Sequence, residues 1–364
     1  MIVKSVELSD FRNYESLNLK FDKGINILYG DNAQGKTNVL EAIYMSGTTK
    51  SHRGTKDKET IRFGKEEAHI RTIVEKKGKE YKIDMHIKKH KTKGIAINQM
   101  PIKKASDLFG VLNLIFFSPE DLNIIKEGPA ERRRFLDLEL CQLDKIYLYN
   151  LSKYNKILNQ RNKLLKDMFQ NPELKNTLDI WDQQLITYGT KIIQRRKQFV
   201  EELNMIIFSI HKKLSGNREE LFLSYEPDCT DTYYPQKLCE ARDKDERFGS
   251  TSVGPHRDDI SFLIGNIDIR KFGSQGQQRT AALSLKLSEI ELVKKIIGDE
   301  PVLLLDDVLS ELDINRQNQL LNSLSTTQTL ITCTGLDEFI KNRLKIDKVF
   351  LVTNGIITEK QQLN

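Results

Sequence analysis

The stretch Gly30-Asp31-Asn32-Ala33-Gln34-Gly35-Lys36-Thr37 matches the phosphate-loop spacing G-x-x-x-x-G-K-[ST] at every position. Its flanks match too. Gly24-Ile25-Asn26-Ile27-Leu28-Tyr29 reads as a short buried strand, and Asn38-Val39-Leu40-Glu41-Ala42-Ile43 reads as the first turns of a helix. Gly30 and Gly35 let the backbone curl, so that the N–H groups of the loop from Asp31 to Gln34 face an anion. The helix beginning near Lys36 adds its positive end. In such a loop the lysine, here Lys36, reaches the β- and γ-phosphates, and the hydroxyl of Thr37 is a ligand for Mg²⁺.

A phosphate loop needs an acidic partner strand. Pro301-Val302-Leu303-Leu304-Leu305-Asp306-Asp307 supplies a continuous apolar run ending in two carboxylates. Asp306 is placed to hold Mg²⁺, directly or through water, and Asp307 to polarise the attacking water. Ser310-Glu311-Leu312-Asp313 follows at once, and Asp313 joins the nucleotide-contacting set. The strand Gln328–Cys333 leads to Thr334, where a γ-phosphate sensor would lie. Gly273-Ser274-Gln275-Gly276-Gln277 opens a long helix from about Thr280. A small hydroxyl (Ser274), a glycine N–H (Gly276) and Gln277 at a helix N-terminus read either as a second anion site or as an ordinary helix cap.

Taken in order, residues 2–21 read as two strands joined at Phe11-Arg12-Asn13-Tyr14, where Arg12 and Asn13 either contact a nucleotide or, as the sequence alone favours, are simply solvated. The basic connection holding Lys50 and Arg53 fits phosphate binding or a surface loop. Residues 59–104 alternate as an antiparallel meander rich in lysine. Lys88, Lys89, Lys91 and Lys93 there read either as a solubilising sheet face or, with Arg132, Arg133 and Arg134, as a candidate DNA-phosphate track, the arginines having Glu131 and Asp137 as alternative partners. Val111–Phe117 reads as a buried strand.

From Arg132 to Phe169, and again from Trp181 to Ile210, apolar residues recur in steps of three and four. Two helices of about 39 residues, each roughly 58 Å long, would fold back at Asn171-Pro172. The expectation is an α/β head from residues 1–120 and 250–364, with an all-helical arm at 121–249 inserted between.

The chain has 364 residues, of which 30% are charged, and a net charge of +6, compatible with a polyanionic partner. Four scattered cysteines form no C-x-x-C pair, so neither zinc nor a disulfide framework is indicated and a reducing cytoplasm fits best. The N-terminus reads as a strand rather than a signal peptide, and no apolar run is long enough to span a bilayer.

Together these residues resemble the ABC-type ATPase class that includes the SMC proteins, and within it the RecF family over essentially the full length. The resemblance rests on the Phe11–Tyr14 turn, the phosphate loop, Ser118-Pro119-Glu120-Asp121-Leu122, Arg132-Arg133-Arg134-Phe135-Leu136-Asp137, Gly254-Pro255-His256-Arg257, Gly273–Gln277 and Leu304–Asp307. It implies a mixed-sheet ABC-type ATPase head and an ATP-dependent homodimer. In that dimer Ser274, Gly276 and Gln277 of one subunit cap the γ-phosphate held by Lys36 of the other. It further implies binding to gapped or junction DNA, RecO and RecR as partners, RecA loading downstream, and slow ATP hydrolysis as a release timer. Thr334 stands where ABC transporters have a histidine, and Asp307 where they have a glutamate. Both departures, with the helical arm, argue against a transporter subunit; each arm helix is too short for a chromosome-structural SMC protein; no acceptor site supports a kinase.

Overall fold

The computed structural model describes residues 1–324, 326–335 and 345–360. The hairpin β1 (Ile2–Phe11) and β2 (Tyr14–Lys20) is followed by β3 (Ile25–Tyr29) and α1 (Lys36–Thr48). The meander is β4 (Glu67–Lys76), β5 (Lys79–Lys88), β6 (Lys91–Ile97) and β7 (Met100–Pro101); β8 (Leu114–Phe117) follows. Then come α2 (Leu122–Lys126), α3 (Pro129–Leu143), α4 (Lys145–Asp167) and α5 (Leu178–Leu214). They lead to β9 (Leu221–Glu226), α6 (Tyr234–Glu240), α7 (Arg242–Phe248), β10 (Asp259–Ile264), β11 (Ile267–Asp268), α8 (Ile269–Phe272) and α9 (Gln275–Ile297). The chain closes with β12 (Val302–Asp306), α10 (Ile314–Ser323), β13 (Thr329–Cys333), β14 (Ile346–Thr353) and β15 (Ile356–Lys360).

Two compact units result: residues 1–121 with 286–364, and residues 122–285. The first holds two six-stranded sheets. One has the order β15-β14-β3-β13-β12-β8 and is parallel except for β15. Its strands β3, β12 and β13 are buried almost throughout, as the mainly apolar runs INILY, VLLLD and TLITC require of a parallel sheet. The other, β2-β1-β4-β5-β6-β7, is antiparallel. On β4, Ala68, Ile70, Thr72 and Val74 face the core, while Glu67, His69 and Arg71 face outward.

The second unit is built on α4 and α5 but is not all helical. It carries the antiparallel sheet β11-β10-β9. β10 pairs with β9 from Asp259↔Glu226 to Ile264↔Leu221, and so residues 250–285 belong with this unit rather than with the head boundary expected at 250. The first arm helix also differs from a continuous run over Arg132–Phe169. It starts at Pro129 and breaks at Asp144, whose extended backbone and Oδ1 cap the next helix by accepting from the N–H groups of Ile146 (2.8 Å) and Tyr147 (3.0 Å). The second arm helix, α5, is continuous for 37 residues, about 55 Å at the usual rise.

Arginines occupy the seam of this unit as ties. Arg161, fully buried, donates to Asp182 (2.6 Å), Asp245 (2.7 Å) and Thr251 (2.8 Å). Arg196 donates to Asp137 (2.7 Å), Asp258 (2.8 Å) and the Pro255 carbonyl (2.6 Å). Each guanidinium has charged partners and further acceptors, the condition under which a buried charge is tolerated. His256 donates or accepts at Nδ1 with the Tyr154 hydroxyl (2.8 Å), and burial pushes its pKa down to about 4, so the ring is neutral at physiological pH.

Asp144→Ala removes the cap that separates α3 from α4, and is expected to lower unfolding stability by about 1 kcal/mol, read as a lower urea midpoint with unchanged far-UV dichroism.

Candidate nucleotide site

The loop from Gly30 to Thr37 follows β3 at the C-terminal edge of the parallel strands, where open α/β sheets bind ligands. Gly30 (φ +147°) and Gly35 (φ +111°) adopt backbone angles that side chains resist. A Cβ at Gly30 would lie 2.3 Å from the Val352 carbonyl oxygen, and one at Gly35 would lie 2.5 Å from Asn13 Nδ2. The β1–β2 turn buttresses the loop: Asn13 Nδ2 donates to the Gln34 carbonyl (3.0 Å) and the Tyr14 hydroxyl to that of Gly35 (3.0 Å). Asn354 and Gly355 donate their N–H groups to Gln34 from the other side. α1 begins at Lys36 with no side chain capping its first N–H groups, which leaves them for an anion.

Lys36 is buried and donates to the carbonyls of Gly30 (2.5 Å) and Asp31 (2.7 Å). Thr37 Oγ1 donates to Asp306 Oδ1 at 2.8 Å, and Thr332 Oγ1 donates to the same oxygen at 2.6 Å. The register explains the meeting: Asp306 pairs with Thr332 across β12–β13, and both lie level with the end of β3. Burial raises the pKa of Asp306, and the charge of Asp307 adds to this, against the two hydroxyl donors and Arg53. Among the described residues no lysine or arginine forms an ion pair with Asp306. A half-buried carboxylate beside a threonine hydroxyl and without an ion-pair partner among the described residues fits a hard divalent cation, and a helix start with no side-chain cap fits phosphate.

Asp307 adopts φ +53°, a left-handed conformation that costs a non-glycine residue about 1 kcal/mol. Its N–H is held by the carbonyl (3.2 Å) and hydroxyl (3.1 Å) of Thr332, and Ser310 Oγ donates to its carbonyl (2.8 Å). Ser310 Oγ also lies 3.4 Å from the Asp307 carboxylate, at Oδ1.

Arg12 is not solvated. It forks onto Glu41 with Nε (2.8 Å) and NH2 (2.5 Å), and donates to Thr55 Oγ1 (3.0 Å) and the Glu59 carbonyl (2.8 Å). Glu41 is fully buried on α1, accepts from Ser51 Oγ at 2.5 Å, and lies 4.0 Å from Arg53. Burial alone would raise its pKa, but the bonds from Arg12 and Ser51 outweigh it and hold the carboxyl below its ordinary value. Glu41, Tyr14 and Thr332 escaped the sequence reading. A glutamate inside the apolar run Val39–Ile43 was the available signal for the first.

Other expected contacts are placed differently. Asp313 caps α10, accepting from the Arg316 N–H (3.0 Å) and pairing with its guanidinium (2.7 Å). Ser274, Gly276 and Gln277 lie in the second unit at the start of α9. Ser274 N–H donates to Gln277 Oε1 (2.8 Å) and Gln277 N–H to Ser274 Oγ (3.2 Å), a reciprocal capping box; Gln277 Nε2 donates to Glu219 (2.9 Å). Arg132 is fully buried and spends its donors on Asp259 and the carbonyls of Ile124 and Glu127, so it cannot reach a DNA phosphate. Arg133 donates to the Asp258 carbonyl (2.7 Å), and Arg134 pairs with Glu131 (3.7 Å). Lys93 is largely buried against Thr49 and Asp57. Lys88 and Lys89 pair with Glu67 (3.7 Å) and Glu66 (2.9 Å) on the surface, while Lys50 and Lys91 are exposed.

The family model described as the RecF/RecN/SMC N terminal domain matches residues 2–358. The chain is 68% identical to the DNA replication and repair protein RecF of Agathobacter rectalis, covering 98% of each. The chain belongs to the RecF family. A second RecF, from Lachnospira eligens, is 61% identical over 99% of this chain and 100% of its own length. Among solved structures, the recombination mediator protein RecF–ATP of the RecFOR pathway superposes with a TM-score of 0.92 at 36% identity, over 99% of this chain and 97% of that one. An SMC head bound to the C-terminal winged-helix domain of ScpA shares the fold alone, with a TM-score of 0.57 at 16% identity over 99% of this chain and 97% of that one. The RecF fold is therefore an ABC-type α/β head of mixed sheets with helices. No described helix is long and apolar enough to cross a membrane.

Arg12→Ala leaves the buried Glu41 carboxylate without its fork, and is expected to cost about 3–5 kcal/mol at neutral pH. Because the Glu41 pKa is depressed in the fold, the stabilisation is fully present above the ordinary value of about 4.3 and disappears as pH falls through the lower folded value. Urea unfolding at pH 7 and at pH 4 should therefore show the gap between variant and parent narrowing on acidification.

Proposed function

We propose that this RecF-family chain is an ATP-dependent DNA-binding protein of recombinational repair and replication restart, working as an ATP-induced homodimer with slow hydrolysis. The observation that carries the reading is the Thr37–Asp306 bond of 2.8 Å beneath an uncapped phosphate loop. The likeness to RecF–ATP supports it.

Lys36 would leave the carbonyls of Gly30 and Asp31 for the β- and γ-phosphates, while the N–H groups from Asp31 to Lys36 cradle them. Thr37 and Asp306 would hold Mg²⁺. Asp307 would orient the attacking water; an aspartate is short and this one is pinned through its backbone, which fits slow turnover. Bound ATP with Mg²⁺ supplies the γ-phosphoryl group whose loss releases the dimer. The capping box presents Ser274, Gly276 and Gln277 at one helix start, suited to closing over the γ-phosphate of a second subunit. One loop alone offers few cations for a triphosphate, and a partner's helix end supplies the missing donors.

DNA would be held through phosphates without base readout, by Lys50, Arg53, Lys88, Lys89 and Lys91, with Arg133 and Arg134 in the second unit. RecO and RecR are the proposed partners, with loading of RecA recombinase as the outcome. Affinity for DNA should fall steeply with salt.

The deciding experiment is sedimentation with ATP, with ADP and with neither, on the parent, Lys36→Met and Ser274→Arg. A dimer with ATP alone, lost in both variants, is the expected result; a nucleotide-independent monomer or constant oligomer would overturn the trans-capped mechanism. Asp307→Asn should retain ATP-induced dimer while lowering the hydrolysis rate about 10²-fold or more. Replacing Lys88, Lys89 and Lys91 together with alanine should weaken DNA binding and flatten its salt dependence; unchanged affinity would remove the meander from the interface.

A further inference from the structure

The outer face of the antiparallel sheet gathers three ligand-bearing side chains that the nucleotide site does not use. His69 on β4 stands directly opposite His86 on β5, and Glu67 precedes His69 by two residues on the same face. The imidazoles stack with centroids 3.9 Å apart. The Glu67 carboxylate reaches both: Oε2 lies 2.9 Å from His86 Nε2 and Oε1 lies 3.9 Å from His69 Nε2. One ligand atom from each residue lies within 4.8 Å of the other two.

We propose that Glu67, His69 and His86 bind one borderline divalent transition-metal ion, of the Zn²⁺ class, separate from the nucleotide's Mg²⁺. A tetrahedral ion with bonds of about 2.0–2.1 Å spaces its ligands by roughly 3.4 Å. The three atoms therefore need only side-chain rotation to close on it. Space for that rotation exists. Gly94 is the residue opposite His86 on β6, and a Cβ there would meet nothing within 4 Å. Beside the rings opens a cleft of about 500 Å³, lined by His69, His86, Gly94 and Pro101 among others, with room for a water as fourth ligand. Two imidazoles and one carboxylate favour Zn²⁺, Co²⁺ or Ni²⁺ over Mg²⁺. The opposing charges are Arg71, which is engaged by Asp84 (2.6 Å) and Glu7 (3.2 Å), and Lys88, whose Nζ lies 3.7 Å from Glu67 Oε2 on a partly exposed, flexible stem that can turn to solvent. The ion would clamp β4 to β5 at the lysine-bearing end of the meander.

The test is isothermal titration of the nucleotide-free full chain with ZnCl₂, with MgCl₂ as comparison, and the absorption spectrum of the Co²⁺-loaded protein. The expected result is one tight Zn²⁺ per chain, retained in Asp306→Asn. Affinity should fall at least tenfold in His69→Ala, in His86→Ala, and in Glu67→Gln, which leaves both rings in place. Melting in chelator should be the same for parent and variants, whereas added Zn²⁺ should raise the melting temperature of the parent alone. Absence of stoichiometric Zn²⁺ binding in the parent, or undiminished binding in all three variants, would overturn the site.

Discussion

The parallel register of β3, β13 and β12 is the constraint on which the first unit depends. It sets Asp306 opposite Thr332 and brings the residue after the loop lysine within 2.8 Å of the same carboxylate oxygen. Residues 269 positions apart in sequence meet only because three apolar runs lie side by side with their carboxyl ends aligned. A slip of one residue would turn every side chain to the opposite face and separate the hydroxyls from the acid.

Around that register, buried charge is held in place by geometry. Glu41 sits beneath the loop helix, reached by Arg12 from the β1–β2 turn and by Ser51 from the segment after α1. The same turn sends Asn13 and Tyr14 to the loop's carbonyls. One four-residue connection thus fixes both the loop and the helix that follows it. In the second unit Arg161 and Arg196 do comparable work among helices, which explains why arginine stands at positions where a coiled coil would have leucine.

The sequence was most legible where chemistry is local. The phosphate loop, the strand ending in Asp306 and Asp307, the meander and the fold-back of two helices follow from spacing and periodicity. It was least legible where partners are distant. Asp144 looks like any polar residue in a helical pattern until its carboxylate is seen capping the next helix. Arg132 reads as one of three candidate phosphate-binding arginines, yet it is buried and bonded to Asp259, 127 positions away. Glu67, His69 and His86 carry no local signature either, because strand register alone brings them together. The boundary at 250 failed for the same reason: pairing of β9 with β10 outranks the change in composition.

The Lys36 ammonium is held by two carbonyls of its own loop, those of Gly30 and Asp31. Nucleotide entry would exchange one set of oxygens for another around this cation. Nucleotide affinity would then be a difference between two well-coordinated states. Substitutions that distort the Gly30 or Asp31 carbonyls would alter nucleotide binding through the unliganded protein, without touching a bound phosphate.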